Sequence, residues 1–380
     1  MDTTLPEEIE QMRTATRRLV DDLMEHETEF LSTNIVPPVV DASFKELGYY
    51  GLRIPEAFGG SALGMLGTVA VVSELGRLPP QFWSFLRVAL GPSSKTLVKH
   101  GSEAQKSRWL PAIGNGTCGV AFALTEAGAG SDLSSMRMSA RRVDEGYVLN
   151  GTKIYISNAD RAGLLVVFAR TSASTRLKEA LSAFLVEAGQ PGMQVGPPIP
   201  TMGTTLNGLF ELSFDNCVIP AANLLGEEGK GFQYAMESLN EGRLNVGATA
   251  IGMGKFALEL AIEHTRTREA FGKTLSENQV VQHMLADAAM EMHASWLMLI
   301  DAANRIDLGE DASAASAMVK IYCTEAAGRA VDTAVQLLGA AGYSRGVKAE
   351  RLYRDVRVMR IYEGASEILR NVVARKLLSD

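Results

Sequence analysis

The stretch that decides the fold is residues 147–157, which read Tyr-Val-Leu-Asn-Gly-Thr-Lys-Ile-Tyr-Ile-Ser. β-branched and aromatic residues dominate it, as is typical of a strand, and Asn150-Gly151 is a frequent turn pair. Similar runs, separated by turn residues, recur between about Cys118 and Asn223. The middle of the chain is therefore predicted to be a small antiparallel, β-barrel-like domain. Further strands are predicted at residues 119–124, 164–169, 183–186 and 209–214, and a connection rich in Gly and Pro at residues 189–208.

Helical patterns flank this β segment on both sides. From Pro6 to about Leu110, apolar residues recur at helical spacing between short loops. After Gly226 the helical period returns, and its long apolar stripes predict helices that pack in a bundle. The predicted fold class is multidomain α+β. It comprises an N-terminal all-α domain at residues 1–117, a middle β domain at 118–226 and a C-terminal four-helix bundle at 227–380.

Composition limits the possible functions. The chain has 380 residues, 46% of them hydrophobic and 21% charged, which is typical of a soluble globular protein. A net charge of −7 argues against a nucleic-acid partner or an anionic membrane surface, and no apolar run is long enough to span a bilayer. The three cysteines form no CxxC pair and the five histidines show no ligand spacing, so neither a disulfide framework nor a metal site is expected. The N-terminus resembles no targeting signal, and a reducing, cytoplasmic location is predicted.

One carboxylate lies at a glycine-marked break near the C-terminus, in the run Glu363-Gly364-Ala365-Ser366. Glycine costs about 1 kcal/mol relative to alanine inside a helix, so this break is a candidate functional feature. A carboxylate that projects from such a break into a cleft can serve as a general base. The alternative from these residues alone is a solvated charge at a helix end.

A second feature is the glycine-rich loop at residues 124–132, which follows a predicted strand. Its glycines let backbone amides approach an anion or a planar ring, and Thr125 and Ser131 add hydroxyl groups. The spacing is not that of a P-loop or a dinucleotide fingerprint. A plain connecting loop is the alternative interpretation.

Taken in order, four stretches of the chain resemble the acyl-CoA dehydrogenases, and the resemblance extends from about Leu52 to Leu377. Each stretch alone could be chance, whereas their shared order and spacing could not. The stretches are residues 123–132, residues 150–158, residues 268–273 followed by Gln279, and residues 336–343 leading to residues 362–364.

The resemblance implies a role for Glu363. In the family, a carboxylate at this position removes the α-proton of an acyl-CoA thioester while the β-hydrogen leaves as hydride to N5 of FAD. The backbone N–H of the same residue and a ribityl hydroxyl of the flavin hold the thioester oxygen. Burial is expected to raise the pKa of the carboxyl group toward working pH. Ala365 departs from the pattern, because many members have a hydroxyl residue there that touches the flavin.

The resemblance also implies a set of cofactor-binding residues. Tyr155 stands where a tryptophan is more usual, and Ser157 where a threonine would hydrogen-bond N5. Arg268, with Gln336 and Gly339, matches residues that reach across a dimer interface to the FAD pyrophosphate. The full set implied for FAD is Phe122, Leu124, Thr125, Gly130, Ser131, Tyr155, Ser157, Arg268, Phe271, Gln279, Gln336, Gly339 and Ala365.

Substrate contacts are implied around the same site. A minority of the family carry the base one residue before the position of Arg243, where this chain has Gly242, and that leaves Glu363 as the one serious candidate. The neighbouring Glu241 is interpreted as a surface or capping charge. Arg87 is a candidate for binding a carboxylate on a dicarboxylyl-CoA. The substrate contacts predicted are Ser131, Asn240, Arg243, Tyr362, Gly364 and Arg87.

The function predicted from the resemblance is that of an FAD-dependent acyl-CoA dehydrogenase that passes electrons to an electron-transfer flavoprotein. A homotetramer, built as a dimer of dimers, is the expected assembly. Two alternatives stay open at this point. They are a non-catalytic accessory subunit of a mixed tetramer, and a flavin oxidase or monooxygenase on the same scaffold.

Overall fold

The computed structural model describes residues 4–204 and 208–379. Its N-terminal part is helical, as the apolar spacing predicts. Trp83, Phe44 and Leu97 are among the side chains fully buried within it. Its helices are α1 (Glu7–Met24), α2 (Glu27–Thr33), α3 (Pro38–Glu46), α4 (Met65–Leu75), α5 (Ser84–Ala89), α6 (Pro92–His100) and α7 (Glu103–Gly114).

The middle part is one eight-stranded sheet, which confirms the predicted β domain. Most neighbouring strands are antiparallel, but β1 and β2 each pair with β4 in parallel, which the sequence analysis did not predict. The elements are β1 (Gly119–Ala123), β2 (Ser139–Val143), β3 (Gly146–Ser157), β4 (Ala162–Arg170), α8 (Leu177–Ala180), β5 (Leu181–Glu187), β6 (Met193–Ile199), β7 (Leu209–Pro220) and β8 (Leu224–Leu225).

Two local predictions in this sheet are wrong. Asn150-Gly151 does not turn the chain; it lies inside the continuous strand β3, where the register with β7 shifts between Leu149 and Gly151. Gly151 has φ +138°, and a Cβ there would lie 2.8 Å from the Cα of Met138, so the pair forms a bulge that only glycine fits. The connection predicted at residues 189–208 contains the edge strand β6, and residues 205–207 of it lie outside the described part.

The C-terminal part is a helical bundle built on an unusually long helix, α9. Small residues let α9 pack closely, since a Cβ at Gly252 would lie 2.2 Å from the carbonyl oxygen of Ser73 on α4. Among the described residues, no helix combines the length and apolar character needed to cross a bilayer. The elements are α9 (Gly231–Thr267), β9 (Glu269–Ala270), β10 (Lys273–Thr274), α10 (Gln279–Asp307), α11 (Ser313–Leu338), α12 (Ala340–Tyr343), α13 (Lys348–Val356) and α14 (Ser366–Leu378).

The helices α9 and α11 run parallel to each other. Gly247 faces Val319, and Gly254, two turns later on α9, faces Ala327, two turns later on α11. The C-terminal ends of both helices therefore lie at the same end of the bundle. The start of α9 and the loop before α14 lie toward the other end, because the Cβ direction of Gly242 points at Glu363.

Candidate active site

Glu363 lies at a sharp bend between a short 3₁₀ helix, Arg357–Arg360, and α14. Its backbone is left-handed with φ +57°, and Gly364 follows with φ +98°. A left-handed conformation costs a residue other than glycine roughly 1–2 kcal/mol, so the surrounding structure must hold this bend. The break predicted from Gly364 is confirmed. Because the backbone bends at this point, the Glu363 side chain projects away from the 3₁₀ helix before it and from α14 after it.

The Glu363 carboxyl group faces α9 at Gly242. An ideal Cβ at Gly242 would lie 2.9 Å from Oε2 of Glu363, so only glycine leaves room for this carboxyl at its present position. Oε2 is buried and has no hydrogen-bond partner among the residues that the structure describes, although Glu363 as a whole is half-buried. Burial raises the pKa of Glu363 to about 7, against the opposing effects of Arg243, Lys320 and Arg87. A carboxyl group with this pKa can take and release a proton near neutral pH.

Two cations bind the backbone on either side of this bend. Arg243, on α9, donates from Nε to the Glu363 carbonyl oxygen at 3.2 Å, and its Nη1 donates to Oδ1 of Asn240 at 2.6 Å. Lys320, on α11, donates from Nζ to the Gly364 carbonyl oxygen at 2.6 Å. Arg243 and Asn240 were predicted from the sequence, but Lys320 was not. The sequence around a lysine within a helix does not show which distant group its side chain contacts.

Tyr362 and Arg87 form another side of the site. The Arg87 guanidinium lies over the Tyr362 ring, 6.0 Å from its centroid, and Arg87 is close enough to lower the pKa of Glu363. Burial raises the pKa of the Tyr362 hydroxyl, so it is a neutral hydrogen-bonding group. Within the part of the chain that the structure describes, no carboxylate forms an ion pair with Arg87.

Glu241 is not the surface or capping charge that the sequence suggested. Its side chain is only 16% exposed, and its carboxylate pairs with Arg53 at 2.6 Å and with Lys95 at 2.9 Å. Helical geometry does turn it away from the Glu363 side of α9, where Gly242 lies. Glu241 is an ion-pair partner that joins α9 to α6 and to the loop before α4.

Three of the residues implied for FAD binding, Phe122, Leu124 and Thr125, cluster where β1 ends beside β3. The carbonyl oxygen of Leu124 accepts from Nζ of Lys153 at 3.0 Å, and the carbonyl oxygen of Thr125 accepts from the Ile154 N–H at 3.0 Å. The Phe122 ring packs on Phe168 with centroids 4.9 Å apart. These contacts bring residues 122–125 next to residues 153–157 and fix the backbone of both.

A buried ion pair supports the glycine-rich loop. Lys153 is fully buried and its Nζ lies 2.9 Å from Oε1 of Glu126, which also accepts the Met138 N–H, while Oε2 accepts the Arg137 N–H. Ideal Cβ atoms at Gly128 and Gly130 would meet nothing within 4 Å, and Ser131 is exposed. The loop therefore has a fixed base and an open glycine side, as expected for a segment that contacts a ligand with its backbone.

Tyr155 and Ser157 occupy an irregular part of β3. The register with β7 shifts between Lys153 and Ile156, and Tyr155 has φ +59° with its ring 57% exposed. An exposed aromatic ring held by a bulge can stack on a planar heterocycle. Directly after Ser157, Asn158 donates to the carbonyl oxygen of Ser84 at 3.2 Å, and Ser84 begins the helix that carries Arg87. This contact connects the end of β3 to the Glu363 side of the molecule.

Five predicted cofactor residues lie at the opposite end of the bundle. Gly242 and Arg268 are 26 residues apart along α9 and its C-cap, which at about 1.5 Å per residue is about 39 Å. Phe271 is the extreme case, with its ring wholly exposed in a turn with φ +54°. The structure therefore does not bring this set together with Glu363 of the same chain. The set comprises Arg268, Phe271, Gln279, Gln336 and Gly339, all of them exposed.

Ala365 is the N-cap of α14 and has no side-chain cap hydrogen bond. The adjacent Ser366 is buried, and its hydroxyl has no partner among the described residues. Ala365 itself has no hydroxyl group, but the next residue, Ser366, has one. The contact of Ala365 with the cofactor stays a prediction.

Comparison with known proteins defines the class. The acyl-CoA dehydrogenase N-terminal, middle and C-terminal domain families match residues 6–117, 121–217 and 229–378. The chain therefore belongs to the acyl-CoA dehydrogenase family. It is an oxidoreductase that acts on acyl-CoA and uses FAD.

Individual relatives match over the whole chain. It is 38% identical to the acryloyl-CoA reductase (NADH) of Anaerotignum propionicum, over 100% of this chain and 96% of the relative. Butyryl-CoA dehydrogenase from Megasphaera elsdenii superposes with a TM-score of 0.94 and 32% identity, over 100% of both chains. A chain from a study of the electron transferring flavoprotein of Acidaminococcus fermentans superposes with a TM-score of 0.96 and 34% identity, also over 100% of both chains.

Proposed function

We propose that the protein introduces an α,β double bond into an acyl-CoA thioester, with Glu363 as the base. The single observation that carries this proposal is the carboxyl group opposite Gly242, whose Oε2 is buried and has no partner within residues 4–204 and 208–379. A carboxylate without a partner is free to accept a proton from a substrate carbon. A pKa of about 7 places its basic form within reach at neutral pH.

In this mechanism the Glu363 carboxylate takes the α-proton, and the Glu363 N–H donates to the thioester oxygen as negative charge develops there. FAD, when bound, supplies the two-electron acceptor for the hydride that leaves the β-carbon. Tyr155, with its exposed side chain, would stack on the flavin ring, the Ser157 hydroxyl would donate a hydrogen bond to the flavin, and the backbone of residues 124–132 would hold it as well. Arg243 and Asn240 hold the loop of the base beside the pantetheine end of the substrate.

The proposal is tested by adding acyl-CoA thioesters of different chain length to the purified yellow protein without oxygen. Bleaching of the flavin absorbance is expected with at least one of them. Absence of bleaching with every saturated acyl-CoA, in a protein that holds FAD, would support the accessory-subunit alternative. Repeating the experiment in air separates a dehydrogenase, which stays bleached, from an oxidase, which recovers its colour and forms hydrogen peroxide.

An electron-transfer flavoprotein is the partner we propose for reoxidation. The butyryl-CoA dehydrogenase likeness and the chain from the electron transferring flavoprotein study support this choice. Because one relative is named an acryloyl-CoA reductase (NADH), the opposite direction is a second candidate function. Protonation of the α-carbon by Glu363 is then the reverse of its deprotonation. Reduction of a dye by the protein plus acyl-CoA, with and without the flavoprotein partner, measures desaturation, and consumption of an enoyl-CoA in the presence of the reduced flavoprotein measures the opposite direction; comparison of the two rates identifies the working direction.

We predict that FAD binding requires a dimer. Arg268, Gln336 and Gly339 lie too far from Glu363 of their own chain to serve the same flavin, so they are expected to bind the pyrophosphate held by a partner. Arg268→Met should release FAD and leave the fold intact. Light scattering with absorbance at the flavin band tests this on wild type and variant. A monomer that keeps one FAD per chain on dilution would contradict the prediction.

We predict that Arg87 favours a substrate with an anionic end. Its guanidinium lies beside the base without a carboxylate partner, and burying it next to an apolar chain is unfavourable. A charge-assisted hydrogen bond is typically worth about 1.5–3 kcal/mol, so Arg87→Met should lower turnover of a dicarboxylyl-CoA by about 10–100-fold more than turnover of a straight-chain acyl-CoA. Steady-state kinetics with a matched pair measures this, with the exposed Arg141→Met as control. Equal losses with both substrates would place Arg87 outside the acyl pocket.

A further inference from the structure

Lys320 is one of two fully buried lysines in the described part of the chain. The other, Lys153, has a carboxylate partner in Glu126, whereas Lys320 forms no ion pair within the described residues. Taking an ammonium group out of water costs several kcal/mol, and here burial lowers the pKa of Lys320 to about 8. A buried cation without an ion-pair partner is unfavourable, so a functional role for Lys320 is expected. The mechanism proposed above assigns no role to Lys320.

The partner of Lys320 is the loop that carries the base. Its Nζ donates to the carbonyl oxygen of Gly364 at 2.6 Å, the distance of a strong charge-assisted hydrogen bond. One residue earlier, Arg243 donates to the carbonyl oxygen of Glu363 at 3.2 Å. Two cations from two parallel helices therefore hold two consecutive carbonyl groups.

These two hydrogen bonds fix the part of the loop that is otherwise least restrained. Gly364 has φ +98°, a region that glycine enters freely, and the peptide planes on its two sides contain the two bound carbonyls. With both planes held, the φ and ψ of Gly364 are held. The plane between Glu363 and Gly364 also sets the ψ of Glu363, so the backbone from which the Glu363 side chain projects is restrained on its C-terminal side.

Lys320 also contributes to the electrostatics of the base. The cations that face Glu363 are Arg243 on α9, Lys320 on α11 and Arg87 on α5, and all three oppose the effect of burial. Lys320 itself faces Glu363, Arg243, Glu367 on α14 and Glu325 on its own helix. Its positive charge thus favours the ionised, proton-accepting form of Glu363.

We infer that Lys320 is a positioning residue for the base: it holds the Gly364 carbonyl so that the Glu363 carboxyl faces Gly242, and it favours the ionised carboxylate. The inference rests on the proposed role of Glu363. It assigns to a residue on α11, distant in sequence, a direct effect on the rate and pH dependence of α-proton removal. A residue that only fills space would affect neither.

The test uses Lys320→Met and Lys320→Arg in the FAD-loaded protein. The rate of anaerobic flavin reduction is measured against pH with an acyl-CoA that bleaches wild type, together with FAD content and thermal midpoint. Removing a nearby cation shifts a carboxyl pKa by about 1 unit or more, so Lys320→Met should raise the apparent pKa of reduction by about 1 unit. Loss of the loop contact should lower the limiting rate about 10–100-fold.

Lys320→Arg keeps the charge and the donor, and should recover most of the rate with the pKa unshifted. The exposed Lys178→Met is the control.

Three results would overturn the inference. One is Lys320→Met with the wild-type rate and pH profile. Another is Lys320→Arg with the same upward pKa shift as Lys320→Met, since the charge is retained. If Lys320→Met fails to fold, Lys320→Gln replaces it, since glutamine keeps a donor but loses the charge: a folded variant with the wild-type pH profile refutes the role, and one with the pKa of reduction raised by about 1 unit supports it. A wild-type protein that no acyl-CoA bleaches, or an active Glu363→Gln, would instead refute the proposed function.

Discussion

Glu363→Gln is expected to slow flavin reduction by acyl-CoA at least 10²–10⁴-fold, the usual contribution of a general base. Glutamine keeps the size of the side chain, so the close approach to Gly242 is unchanged. It breaks no ion pair of Glu363 in the described structure, because the contacts of Arg243 and Lys320 are with backbone carbonyls. Folding and FAD content should therefore be preserved. Stopped-flow absorbance under anaerobic conditions measures the effect.

The control for Glu363→Gln must replace a glutamate that forms no ion pair. Glu241→Gln is unsuitable, although Glu241 lies next to Gly242, because it leaves Arg53 and Lys95 without their carboxylate. Glu211 is exposed on β7 and forms no ion pair among the described residues, so Glu211→Gln should reduce at the native rate. Native bleaching by Glu363→Gln would show that another group removes the proton.

The raised pKa of Glu363 predicts two opposite pH effects. Reduction requires the ionised carboxylate, so its rate should rise with pH through about 7 and then level off. Stability should change the other way, because a folded pKa above the unfolded value of 4.5 gives stabilisation that is complete below 4.5 and lost by about 7. At 1.36 kcal/mol per pKa unit, a rise from 4.5 to about 7 makes the loss about 3 kcal/mol. Glu363→Gln avoids it, so urea unfolding at pH 8 should show a variant more stable than wild type. If wild type and Glu363→Gln differ in stability by the same amount at pH 5 and at pH 8, the raised pKa of Glu363 is contradicted.

Lys153→Met is expected to destabilise the protein by about 3 kcal/mol or more, because it leaves the buried Glu126 carboxylate without its cation. The same change removes the donor to the Leu124 carbonyl, so the loop proposed to hold the flavin edge should loosen and FAD should be lost more readily. Urea unfolding of the holoprotein and the rate of FAD release measure the two effects.

The matched control is Lys178→Met, an exposed lysine on α8, for which a surface substitution predicts a change within about 0.5 kcal/mol. A loss below 1 kcal/mol for Lys153→Met, with FAD retained, would show that neither Lys153 nor its bond to Glu126 supports the loop.

The order of N-terminal helices, sheet and C-terminal bundle can be predicted from the sequence, because each part has its own characteristic spacing of apolar residues. Gly364 marks the break before α14 because glycine is unfavourable inside a helix. Local rules failed where tertiary contacts decide. Asn150-Gly151 forms a bulge because β3 pairs with a strand on each side. Met193–Ile199 forms an edge strand despite its two prolines, because the outer side of an edge strand makes no backbone hydrogen bonds to another strand.

The site was predictable only in part, for a similar reason. Glu363 and Gly242 could be paired because the resemblance relates the two positions. The partners of Glu241 and Lys320 could not be found, since Lys95 is 146 residues from Glu241 and the Gly364 carbonyl is 44 residues from Lys320. Side chains on amphipathic helices reveal which face they occupy but not which distant backbone group they reach.

The length of α9 has a consequence for mixed assemblies. One rigid helix carries Gly242 at the Glu363 site and leads to Arg268 about 39 Å away. In the dimer proposed above, each complete site therefore takes its base from one chain and its pyrophosphate contacts from the other. When a chain defective at Glu363 pairs with a chain defective at Arg268, both lesions fall on one site and the second site is intact. Each mixed dimer formed from two inactive proteins therefore has one active site of its two, so exchange of chains between the two variants should restore activity that neither has alone.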